Sequence, residues 1–366
     1  MACQRINEAG RPPIFLHDVP SDAAVLPEET DPYVEPATLT YAEKWGVPAE
    51  DKALLRPDRV WATASSCDSM IFVWPVEHES SSPPCVRVLH PHKDVVTDYV
   101  MDWENMVSIS CGLDCMISVT SVELEKKIAS VRNDSGFQIN EAFLSIDGDC
   151  SVGKVVVGDG SGALKVADLD AGKILFKMKG HSQSVYGVRA DWNRNQVVSC
   201  SWDRAVNIYD VRAGKKTRTL VGDGHLRNCN RIDVDFDMQL AVTCASEHQF
   251  ILWDLNSGRM IQSYQSSHRA NDICVDWSKM VAATGGEEDG DVKIWNLESG
   301  ECTKTIYTEQ RSIQGLDVDW AQGRLLTATV DKHVTLFDIP TGKCLKQYHK
   351  QRRCLTQCWL QKAHSV

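Results

Sequence analysis

An all-β fold of seven like units closed into a ring is predicted by three observations in this 366-residue sequence. From Asp58 onward, short β-branched and aromatic runs alternate with tight turn signals. A turn residue followed six positions later by an aromatic or its stand-in recurs seven times: Asp68/Trp74, Asp114/Thr120, Ser161/Ala167, Asp203/Tyr209, Glu247/Trp253, Asp289/Trp295 and Asp331/Phe337. A first-strand marker precedes the turn by eleven or twelve residues, as Trp103, Cys150, Trp192, Phe236, Trp277 and Trp320. Self-similarity at roughly 40–50 residues marks supersecondary units that bury their apolar faces only against one another.

The clearest unit begins at Gly180. Gly180-His181 leads into a strand ending at Asp191-Trp192; VVSCSW is a second strand and Asp203 its turn. AVNIYD is a third strand, Gly214 turns the chain, and KKTRTL is a fourth. Gly172, Gly214, Gly258, Gly300 and Gly342 follow the third strand at one offset, each where a turn calls for positive φ.

These units resemble WD repeats, with Gly180-His181 and Gly224-His225 as the GH element and Trp253-Asp254 as the intact dipeptide. Tyr209-Asp210 and Phe337-Asp338 are close variants of it. The resemblance covers roughly residues 56–361 and implies an all-β, seven-bladed WD-repeat β-propeller. The first unit starts at its second strand, DRVWATASS, so its first strand is expected from RRCLTQCWLQ at 352–361, with Trp359 standing where Trp192 stands. That closure leaves no open edge to aggregate. The motif speaks for the fold and says almost nothing about biochemical role.

Residues 1–55 read as an acidic, proline-rich arm. Eight of the thirteen prolines lie in 1–57, and residues 1–51 carry ten Asp/Glu against three Lys/Arg. Residues 1–39 are read as irregular, with a disordered tail as the alternative; Thr40 and Glu43 have capping-box spacing for a short helix. Residues 362–366 form a tail. The fourteen cysteines are scattered through strand-like runs without a C-x-x-C pair, as expected of small buried thiols in a reducing compartment. No secretory signal or membrane-length apolar run is found, so the cytosol is the expected location, with the nucleus as alternative.

No sequence feature points to catalysis, a cofactor or a metal. His181, a serine at 199 or 201 and Asp203 resemble a hydrolase triad on paper, yet the same set recurs in a repeat. His181, Asp203, His225 and Asp331 are therefore assigned to a structural hydrogen-bond network. GDGSG at 158–162 reads as a tight turn, and GEEDGD at 286–291 as a solvated acidic loop with a weak calcium site as the alternative.

Binding is expected at the channel mouth. The residue before each turn acid should ring it: Cys67, Leu113, Gly160, Trp202, Ser246, Glu288 and Val330. The residue six before each first-strand marker should join them: Arg353, Thr97, Leu144, Tyr186, Asn230 and Gln314, with Asn271 in the sixth unit. Tyr186 and Trp202 should be adjacent and, with Glu288 and Arg353, suit a peptide segment; the alternative is that Trp202 only caps its blade edge. Arg204, His248, Arg269, Lys332 and His333 read as solvated loop residues near the same face. The expected role is a non-catalytic scaffold or adaptor subunit of a multiprotein complex. The alternatives are a reader of a basic peptide or histone-like tail and, behind it, an enzyme with a channel site. Direct nucleic-acid binding is not expected from a net charge of −11 spread as it is here.

Overall fold

A computed structural model describes residues 61–76, 85–133, 139–220, 224–348 and 355–361. The expected arm at 1–55, the tail at 362–366 and Arg353 lie outside the described residues. Seven four-stranded antiparallel sheets follow one another along the chain, so the fold is a seven-bladed β-propeller. In blade 4 the inner strand is Val185–Asp191, followed by Gln196–Ser201, Val206–Asp210 and the outer strand Lys215–Thr219. Its middle strands are buried on both faces, which is why VVSCS and VNIY read as continuous apolar and small runs. The outer strand KKTRT is exposed, and its lysines guard an edge that would otherwise template pairing.

The core lies between blades. Val198 and Ile208 of blade 4 pack with Ile232, Ile251 and Trp253 of blade 5, and equivalent clusters join blades 5 with 6 and 6 with 7. Each fully buried large side chain of this kind contributes about 1.5–3 kcal/mol. The inner strands, at 355–360, 96–102, 143–149, 185–191, 229–235, 270–276 and 313–319, touch in a closed cycle. Where blade 7 meets blade 1, a Cβ on Gly315 would stand 2.8 Å from Gln357 Cα, so only glycine admits the approach. The five turn glycines expected at positive φ all have it, between 62° and 78°.

Blade 1 is closed as expected by Leu355–Leu360, which pairs with Trp61–Ser66; Ile71–Pro75 and Arg87–Leu89 complete the sheet. The register differs from the expectation. Trp359 pairs with Thr63, the place Arg189 holds opposite Val198 in blade 4, and lies three residues short of the Trp192 position. The reason is burial: Leu355, Cys358 and Leu360 face the core shared with blade 7, and side-chain alternation then fixes the strand. Thr356 rather than Arg353 thereby occupies the position of Tyr186.

Candidate functional site

The turn acids of blades 2, 4, 5, 6 and 7 are spent on the fold. His181 Nδ1 lies 3.0 Å from Asp203 Oδ1, its Nε2 lies 2.8 Å from Ser199 Oγ, and Asp203 also accepts the backbone N–H of Ser182 and Ala205. Burial works against the Asp203 carboxylate, but these bonds override it and pull its pKa down to about 2. His225 repeats the arrangement with Glu247 at 2.6 Å and Thr243 at 2.7 Å, and Trp253 Nε1 donates to the same Thr243. The serine left open between 199 and 201 is Ser199. Asp331 accepts from Thr329 and from the Arg311 N–H. In blade 7 Gln310 bonds Thr335 and Thr327 from the loop where other blades place histidine.

Two further histidines belong to the pattern and were not singled out from sequence. His92 bonds Asp114 and Ser110, and His268 faces Asp289 and Thr284. They lack the preceding glycine, but His92 stands 22 residues before its turn acid, the same separation as His181 and His225. Blade 3 departs altogether. Its third strand carries Lys165, 3% exposed, whose Nζ lies 2.8 Å from Glu141, 3.1 Å from Asp159 and 3.2 Å from Asn133.

The channel is bridged from side to side. Arg231 of blade 5 reaches Asp98 of blade 2 at 3.2 Å, lies 3.8 Å from Asp272 and donates to the Tyr186 carbonyl at 3.0 Å. Burial disfavours the Arg231 cation, yet Asp98 and Asp272 overcome it and raise its pKa. Inner-strand carboxylates also stitch five of the seven blade junctions by accepting the next blade's N–H groups: Asp98 from Ile146, Asp147 from Ala190, Asp233 from Val275, Asp272 from Leu316 and Asp317 from Leu360. Burial pushes Asp147 and Asp272 up to about 6, against the pull of Arg189 and Arg231 respectively.

This bridge floors the mouth. Around it, the side chain at the second inner-strand position staples one blade to the next in four cases. Thr356 donates to Val96 O, Thr97 to Phe143 O, Asn230 to Ala270 O and Asn271 to Ile313 O, at 2.8–3.3 Å. Asn230 and Asn271 therefore hold the ring, and Asn230 also accepts from Ser246. Gln314 bonds Ser312 locally. Tyr186 fills the same position in blade 4 and stacks on Trp202, with ring centroids 4.5 Å apart and planes 11° from parallel. The Trp202 backbone N–H donates to Ser184 O, which sets second-strand turns and inner-strand entries on one face, the upper face.

In blade 6 that backbone bond is made by Glu287 to Arg269 O, because the turn there holds an extra residue. Glu288 lies one residue further along, exposed and 3.4 Å from Arg269 Nε. The twelve-residue gap between Trp277 and Asp289, against eleven elsewhere, was the signal for it. Among the described residues, no group of three or more His, Cys, Asp or Glu side chains is placed to hold a metal ion.

The repeated His–acid–hydroxyl network in a closed ring of seven blades coincides with a match to a family model described as WD domain, G-beta repeat, over residues 172–210. The chain is a WD-repeat β-propeller. The WD-repeat propeller is 25% identical over 174 residues to autophagy-related protein 16 of Arabidopsis thaliana, an alignment covering 47% of this chain and 33% of that relative. The propeller thus matches a third of the relative's length, a likeness that carries the repeat architecture. No helix among the described residues is long and apolar enough to cross a membrane.

Proposed function

We propose that this propeller is a non-catalytic interaction scaffold or adaptor that holds a peptide segment of a partner protein against the Tyr186–Trp202 stack. The stacked pair on a bridged channel is the observation that carries the reading. An Arg231–Asp98 bridge shuts the floor, so what lies above it is a shallow rigid surface, and two parallel aromatic rings offer a large anchor at little cost in ordering. Rigid scaffolds displaying loops are where binding residues collect. The likeness to autophagy-related protein 16 is in keeping with an adaptor and assigns no pathway. The acidic arm at 1–55 is taken as a second contact within a multisubunit assembly in the cytosol.

Affinity capture from native lysate tests the reading with three baits: the full chain, a chain lacking residues 1–39, and a Tyr186→Ala/Trp202→Ala variant. Partners lost with the double variant alone support the mouth. Partners retained by it sink the mouth assignment, and losses confined to the truncation move recognition to the arm.

A further inference from the structure

Resting on that reading of the mouth, we infer that the partner segment is acidic, and that it is held by the sector of the upper face formed by blades 4 and 5. Four exposed side chains lie in the loops there: Arg204 after the blade 4 turn acid, Leu226 and Arg227 in the entry to blade 5, and His248 after the blade 5 turn acid. Leu226 is 76% exposed and is the apolar side chain this sector offers beside the stacked rings. Among the described residues, the carboxylates of these same loops are already committed, Asp203 to His181 and Glu247 to His225. Among the described residues neither Arg204 nor Arg227 joins a salt bridge. The sector therefore presents two uncommitted guanidinium groups, an apolar side chain and the stacked rings, with no uncommitted acid among its described residues.

That pattern is not a by-product of composition, since the chain carries a net charge of −11. The lower turns of the same two blades hold Asp191, Asp210, Asp235, Asp237 and Asp254 against Arg194 and Arg212, and Arg194 is consumed by Asp191 and Asp237. Charge is thus divided between faces. A basic segment would meet acids away from the stack, at Asp94 in the entry to blade 2, Glu309 in the entry to blade 7, and Glu287 and Glu288 of blade 6, where Glu288 is held by Arg269. Guanidinium forks bind carboxylates and phosphates in a plane and stack on aromatic rings, so carboxylates flanking an apolar or aromatic residue complete the surface.

The test uses the full chain and fluorescent synthetic decapeptides in which glutamates flank a Leu-Phe centre, with glutamine and lysine counterparts. Anisotropy is read at about 50 and about 200 mM salt, across which exposed charges become strongly screened. The glutamate set should bind about tenfold more tightly than the glutamine set, the advantage expected of two exposed charge contacts. It should lose that advantage at the higher salt and in an Arg204→Glu/Arg227→Glu variant, while Lys343→Glu on the lower face leaves it intact. Equal binding of the glutamate and glutamine sets, preference for lysine, no saturable binding by any set, or indifference to the Arg204/Arg227 reversal overturns the acidic assignment. The two readings fail separately. Peptides lost with Tyr186→Ala/Trp202→Ala but indifferent to the arginine reversal leave the mouth standing without its charge preference. Peptides that still bind fully to the aromatic double variant dismiss the mouth itself.

Discussion

Replacing Arg231 with methionine keeps most of the side chain's bulk and removes the cation that bridges the channel. Asp98 and Asp272 remain, each with a side chain only 5% exposed, and lose the charge they face. Removing one partner of a buried ion pair costs about 3–5 kcal/mol, because the other is left uncompensated. At roughly 2 °C per kcal/mol for a chain of this size, the melting midpoint should fall by about 6–10 °C. The pH dependence identifies the cause. Burial already holds Asp272 at about 6 with Arg231 opposing; without Arg231 its value rises further. A carboxyl whose folded pKa exceeds its unfolded value takes its proton first in the folded state, so stability is regained as pH falls through the folded value and lost above it. Thermal unfolding of both proteins at about pH 5 and about pH 7.5 should show the deficit shrink on acidification. Tryptophan fluorescence should also change, since Arg231 anchors the Tyr186 carbonyl beneath the stack. A variant that melts with the parent at neutral pH, or whose deficit is the same at both, refutes the reasoning.

Lys165→Met strands Asp159 and Glu141 in blade 3 and should cost about 3–5 kcal/mol, measured by denaturant unfolding; an unchanged midpoint refutes it. Thr356→Val removes the hydroxyl that joins Ser65 Oγ and Val96 O at the ring junction. A loss of about 1–2 kcal/mol is expected, with faster amide exchange in 61–66 and 355–360 than elsewhere. Gln310→His should bring blade 7 to the pattern of blades 2, 4 and 5, within reach of Thr327 and Asp331, and raise stability by about 1 kcal/mol; a fall in the melting midpoint shows that the loop geometry is not equivalent.

The blades, their number and the closing strand were legible because each rests on local chemistry repeated in register. Turn acids, their partner aromatics and positive-φ glycines lie within a few residues of one another, so spacing alone reveals them. Trp359 misled because an isolated tryptophan was matched by type, whereas the burial of Leu355, Cys358 and Leu360 decides the register. Asn230 and Asn271 bond a neighbouring blade's carbonyl, a role not legible in advance because such amides cannot be told from exposed ones in a sequence. Arg231 and Asp98 are 133 residues apart and meet only because the ring sets blades 2 and 5 across the channel. No periodicity carries that information. The adjacency of Tyr186 and Trp202, by contrast, needed only the pairing of two strands in one blade.

The bonds joining Leu355–Leu360 and Gln361 to Trp61–Ser66 span up to 300 residues, and this orders events during synthesis. Six blades can assemble as each is made, but Trp61–Ser66 waits with one edge bare until residue 360 has left the ribosome. Through that interval the apolar face of blade 1 has no neighbour from blade 7, and an exposed strand edge is what chaperones and aggregating chains both recognise. Ring closure is therefore a late step in the order of synthesis. Substitutions at the junction should lower the yield of soluble protein in cells more than they lower the melting point of molecules that have already closed.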